Sequence, residues 1–207
     1  MPFTELVIPQ LIQSSEARDA FHNIILPALT SVLTPAPGFI LKASGHTLTE
    51  NNEAVPELDF HPVLGVEWKD PKYFYEIVQS KGFQDFGPIT KPYIAAPPSP
   101  EVYETDTSPR DIFASPITEA FRINIGDDST KEAAAKSSWH DLVNVLGDVK
   151  VLSGISVNLP ERLFLGMIGW SGLEQRERAL ERAASLKEHL EKLGDVQSTV
   201  VQFNTSL

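Results

Sequence analysis

Two histidines hold matching places in the chain. Phe21-His22-Asn23-Ile24-Ile25 reads against Trp139-His140-Asp141-Leu142-Val143: an aromatic, a His, an amide or acid, and two aliphatics. An imidazole titrates near ~6.5 and exchanges protons at neutral pH. His22 and His140 are therefore candidate catalytic acids or bases on the flank of a buried helical stripe, the plainer alternative being a half-buried His bonded to backbone. Glu67 is a third catalytic candidate, because it interrupts an apolar run directly before Trp68, where the later copy has Gly169. A carboxyl buried in a sheet has its pKa raised toward neutrality, whereas pairing with Lys42 or Arg122, or an outward direction at the strand end, leaves it structural. Tyr73, and Tyr75 beside it, can donate to an enol oxygen or simply cover the core. Arg122 and Asn124 share one strand face and suit a carboxylate or phenolate oxygen, unless that face is merely solvated. Trp68 and Trp170 are core-sized, and flat enough to stack on a planar ligand.

These residues are carried on a repeated frame. His61–Asp70 (HPVLGVEWKD) and Arg162–Ser171 (RLFLGMIGWS) are apolar runs that end in Trp and hand over to a helix start. Ser44-Gly45 answers Ser153-Gly154 in the preceding strand of each copy. Three matches in the same order mark an internal duplication, and a missed repeat miscalls the fold. The spacing of apolar residues predicts β-α-β-β-α-β twice. In the first copy, strands are expected over Thr4–Gln13, Phe39–Thr47, His61–Trp68 and Glu101–Thr105. A helix from Ala17 is kinked at Pro27, and a second is capped by Asp70 with Pro71 at its first turn. In the second, strands fall at Pro116–Gly126, Lys150–Asn158, Arg162–Trp170 and Gln197–Asn204. Capping boxes at Ser129-x-x-Glu132 and Ser171-x-x-Glu174 open its helices. Residues 1–108 and 109–207 are the two units, with Thr107–Ser115 as the linker.

Composition narrows the partners. The chain has 207 residues, 42% hydrophobic, with a net charge of −11. Nucleic acid and anionic membrane surfaces both require a basic face, so neither is an expected partner. There is no cysteine, which removes thiol catalysis and thiolate metal sites. HExxH, G-x-S-x-G and glycine-rich phosphate loops are missing as well. No metal and no cofactor are expected, and a cytoplasmic location is the default.

Two β-α-β-β-α-β units are two ferredoxin-like sheets, each with helices on one face. Laid face to face they close an intramolecular pseudo-dimeric α+β barrel, so the chain is expected to be a monomer with internal pseudo-twofold symmetry. With HPVLGVEWKDPKYF and RLFLGMIGWSGLEQ, and with Pro37-Gly38 before the second strand, the sequence resembles the dimeric α+β barrel superfamily. Its members include the stress-responsive A/B barrel and antibiotic-biosynthesis-monooxygenase-like proteins. The resemblance covers nearly the whole chain and rests on packing motifs; no catalytic motif of the family carries over. It implies a cofactor-independent enzyme of polyketide or aromatic secondary metabolism, a cyclase, isomerase or lyase moving protons on a small apolar oxygenated molecule. A non-catalytic stress-response or ligand-binding protein and a cofactor-free monooxygenase are the alternatives. The first unit, with longer loops, is expected to hold the working pocket between its sheet and its own helices.

Overall fold

The computed structural model describes residues 1–204. The first unit runs β1 (Phe3–Val7), α1 (Ser15–Ala20), a π-turn (Phe21–Ile25), α2 (Leu26–Leu33), β2 (Phe39–Glu50), β3 (Glu53–Ala54), β4 (Pro62–Trp68), α3 (Pro71–Gln79), α4 (Lys81–Thr90) and β5 (Glu101–Thr105). A short α5 (Arg110–Phe113) leads to the second unit: β6 (Ile117–Asn124), α6 (Ser129–Leu146), β7 (Lys150–Ser156), β8 (Leu163–Trp170), α7 (Leu173–Arg182), α8 (Ala184–Glu191) and β9 (Val196–Asn204).

The strands are hydrogen-bonded in the order β3-β2-β4-β1-β5-β7-β8-β6-β9, and β2 also pairs with β9. Apart from the small β3 hairpin this is a closed barrel of eight antiparallel strands, built from two ferredoxin-like sheets. Two seams join the units, β2 with β9 and β5 with β7. The repeated Ser-Gly pairs lie at these seams. A Cβ on Gly45 would stand 2.3 Å from the carbonyl oxygen of Gln202, and one on Gly154 would stand 2.6 Å from that of Glu104. Glycine at both places lets the facing backbones approach.

Strand alternation separates three cores. Leu6, Leu41, Val63, Leu165, Met167 and Phe203 fill the barrel lumen. The segment 107–115, expected as a linker, is a plug: α5 drives Ile112 and Phe113 into that lumen, both at most 1% exposed. Gly65 makes room, since a Cβ there would stand 2.3 Å from the Phe113 ring. The other two cores lie outside the barrel, one between each sheet and its own helices.

Several local expectations are corrected. The first helix widens into the π-turn just before Pro27, where the absent N–H of Pro27 costs no regular bond. Ala17, Phe21, Ile25, Leu29 and Leu33 are all buried at a spacing of four. A period of four drifts around a helix of 3.6 residues per turn, and a π-turn takes up part of that drift. Asp128, not Ser129, caps α6 by accepting from the N–H groups of Thr130 and Lys131. Ser171 bonds to Gln175 instead of forming a box with Glu174. The last helical stretch is divided at Ala183, and Ser80 ends α3 and caps α4.

Candidate active site

Between the first sheet and its helices lies a cavity of about 80 Å³. Its walls come from β1 and the segment after it, β4, the π-turn, α2, α3, α4 and the connector to β5, and nearly all are apolar: Phe21, Val66, Phe74, Phe83 and Phe86 among them. One ionisable side chain lines it, Glu5. On β1, Thr4 and Leu6 turn into the barrel, so Phe3, Glu5 and Val7 turn toward the helices. Pairing of Phe3 with Trp68 and Glu5 with Val66 brings the carboxyl beside the indole. Trp68 Nε1 donates to Glu5 Oε2 at 2.6 Å, leaving Oε1 for the cavity. Burial disfavours the carboxylate and raises its pKa to about 7, the Trp68 N–H opposing the rise.

The second unit contains the same pair with a different outcome. β6 repeats the register, Ile117 with Trp170 and Glu119 with Ile168, and Trp170 Nε1 donates to Glu119 Oε2 at 3.3 Å. Here Arg176 closes the site. Its Nε donates to Glu119 Oε2 at 2.9 Å and its Nη2 to Oε1 at 2.7 Å, a two-point fork on a carboxylate with 0% exposure. Arg176 stands six residues after Trp170, and the residue six after Trp68 is Phe74. Exchange of arginine for phenylalanine is what leaves Glu5 without a counter-ion beside an apolar space.

The residues singled out by sequence are distributed as follows. Trp68 lines the cavity, fully buried, and Trp170 is its counterpart in the second core. His22 is exposed on the π-turn, with its ring 5.3 Å from that of Phe60. His140 is exposed on α6. Neither histidine enters the apolar cavity. Glu67 is buried but faces the lumen end, accepting from Ser108 Oγ at 2.9 Å, with no bond to Lys42 or Arg122. Tyr73 packs over Gly38, with Lys72 Nζ 4.9 Å above its ring; Tyr75 is 45% exposed. Arg122 lies largely buried at one barrel mouth, paired with Glu101 at 3.0 Å. Asn124 donates to Glu161. Glu5, Glu119 and Arg176 were not among the candidates. The signal for the first two was present: Phe3-Thr4-Glu5 and Ile117-Thr118-Glu119 open the two copies.

Among the described residues no group of three or more His, Cys, Asp or Glu is placed to hold a metal ion, and no helix is long and apolar enough to cross a membrane.

The barrel closed by two ferredoxin-like halves is the dimeric α+β barrel fold, with both halves in one polypeptide. No protein-family model and no curated protein sequence matches the chain. Solved structures match its fold over nearly its whole length. An anthrone oxidase-like protein superposes with a TM-score of 0.68 at 10% identity, covering 99% of this chain and 92% of its own. A proposed monooxygenase of Fusobacterium nucleatum gives 0.62 at 7% identity, with 99% and 93% covered. One from Lactobacillus acidophilus NCFM gives 0.58 at 9%, with 99% and 94% covered.

Proposed function

We propose that the chain is a cofactor-independent enzyme acting on a small, apolar, oxygenated molecule, with Glu5 carrying the proton. The observation that supports this most is a single carboxyl, titrating near neutrality and held by one indole, facing an otherwise apolar cavity. A general base works best when its pKa lies near the operating pH. Glu5 Oε1 takes a proton from an activated C–H or phenol, and the protonated carboxyl returns it at a second position, which is an isomerisation or a cyclisation. The apolar walls exclude water, so the transfer meets little solvent competition.

The cavity is small, and a ligand larger than about one aromatic ring has to displace a wall. α4 is the wall suited to move: it buries none of its residues fully and carries Pro88 within it. Trp68 acts as a positioning residue that fixes Oε2.

A second reading is favoured by the fold neighbours described as monooxygenases and as anthrone oxidase-like. There the deprotonated carbon reacts with dioxygen; a CH2 becomes C=O, one oxygen atom entering the product and the other leaving as water. A non-catalytic binder is the third. Turnover of a panel of aryl ketones, phenols and 1,3-dicarbonyls, followed in air and under nitrogen, separates these. Loss of rate under nitrogen selects the oxygenase, an unchanged rate selects proton transfer, and no rate across the panel selects the binder.

Phe74→Arg tests the site itself, because it rebuilds the Glu119–Arg176 arrangement around Glu5. Turnover is expected to fall at least tenfold while the chain stays folded. An active, folded Phe74→Arg protein would remove Glu5 from the mechanism.

A further inference from the structure

A second recess, of about 620 Å³, opens at the barrel mouth beside the apolar cavity. Its floor is polar and comes from both units. Arg122 Nη1 donates to Glu101 Oε1 at 3.0 Å, Arg122 Nη2 to Gln197 Oε1 at 2.8 Å, and Tyr103 Oη to Glu101 Oε2 at 2.6 Å. On its rim His61 Nδ1 and Glu50 Oε1 stand 2.7 Å apart. Pro9, Leu11 and Pro98 line both this recess and the apolar cavity, so the two spaces share a wall. One isolated β-bridge, Leu11 with Ile94, holds that wall through hydrogen bonds from Ile12 to the Tyr93 carbonyl and from Ala95 to that of Gln10.

We propose that the recess is the outer subsite of the apolar cavity, and that the ligand is amphipathic, with an apolar ring beside Glu5 and an uncharged, oxygen-bearing tail in the recess. The inference extends the functional reading above. A buried ion pair adds little net stability over apolar packing, whereas fixed donors and acceptors in a space of this size supply orientation and specificity to a ligand. The charge balance sets the tail's chemistry. Two carboxylates, Glu50 and Glu101, face one guanidinium and one imidazole, and the guanidinium is already committed to Glu101. A carboxylate or phosphate tail meets net repulsion there, while hydroxyl, ether or carbonyl oxygens find Arg122, His61 and the neighbouring amides.

The test uses three probes with one ring: anisole, the phenyl ether of triethylene glycol, and that ether ending in a carboxylate. Their dissociation constants are measured by calorimetry on the full chain. The neutral glycol ether is expected to bind about tenfold tighter than anisole, the equivalent of ~1.4 kcal/mol, and the carboxylate-ended ether more weakly than the neutral one. Ser99→Trp, at an exposed position on the recess wall, should erase the glycol advantage and leave anisole unchanged. So should Arg122→Met/Glu101→Gln, which removes both charges together and avoids stranding one. Equal affinity for anisole and the glycol ether, or an advantage that survives both variants, overturns the proposal. If that happens while Phe74→Arg still abolishes turnover, the apolar site stands and only the outer subsite falls; failure of anisole itself to bind removes both.

Discussion

Glu5→Gln is expected to lower kcat by on the order of 10²–10⁴, the usual consequence of losing a general acid or base. Glutamine keeps the volume and the acceptor for Trp68 Nε1, so the loss reports proton transfer rather than collapse of the cavity. The wild-type rate should rise with pH through about 7, as Glu5 gives up its proton and becomes a base; the residual rate of the variant should lack that limb. His22→Ala and His140→Ala serve as comparisons, since both rings are exposed outside the cavity. A kcat that survives Glu5→Gln and falls with His22→Ala would return the chemistry to the histidine.

The second large effect concerns stability and falls in the other unit. Arg176→Met leaves the Glu119 carboxyl with 0% exposure and no cation. Stranding one partner of a buried pair costs about 3–5 kcal/mol, and urea unfolding at pH 7 should show a loss of that size. Glu119→Gln/Arg176→Met should recover most of it, because the remaining groups are neutral. A loss under about 1 kcal/mol in the single variant would mean that water reaches Glu119, contrary to its burial.

The frame of this protein was legible in the sequence because packing repeats leave regular marks. The two Trp-ended runs became β4 and β8, the two Ser-Gly pairs became the glycine contacts at the seams, and Phe21 and Trp139 became buried anchors of equivalent helices. Glu174–Arg178 and Glu188–Lys192 form ion pairs across one helical turn. The site was less legible. In Phe-Thr-Glu-Leu-Val the strand alternates, but alternation does not say which face meets helices and which meets the lumen when both are buried. Glu67 looked the stronger buried acid, and it is buried, yet it lies one position off the Trp68 face and so points into the barrel. The histidines shared a sequence context, but the stripe buried through the π-turn has a period of four and passes through Phe21, leaving His22 in solvent. What distinguishes a working carboxyl from a locked one is Phe74 against Arg176, a contrast visible only once the register of β1 and β6 is known.

Glu5 is a buried carboxyl without a counter-ion. Its titration couples to folding, and the coupling is measured without a substrate. The folded pKa, about 7, lies above the ordinary 4.5. Below pH 4.5 both folded and unfolded chains hold the proton, and Glu5 costs nothing. Between pH 4.5 and 7 the unfolded chain releases it while the folded chain keeps it, so stability falls as pH rises; above 7 the full penalty remains, about 3 kcal/mol. Glu5→Gln removes that penalty. Thermal unfolding of the two proteins should therefore coincide near pH 4.5, whereas at pH 8 the variant should melt about 6–12 °C higher, at roughly 2–4 °C per kcal/mol for a chain of this size. A variant that melts at or below the wild-type temperature at pH 8 would mean that Glu5, like Glu119, has its charge compensated in the folded protein, and would remove it as a free carboxyl beside the cavity.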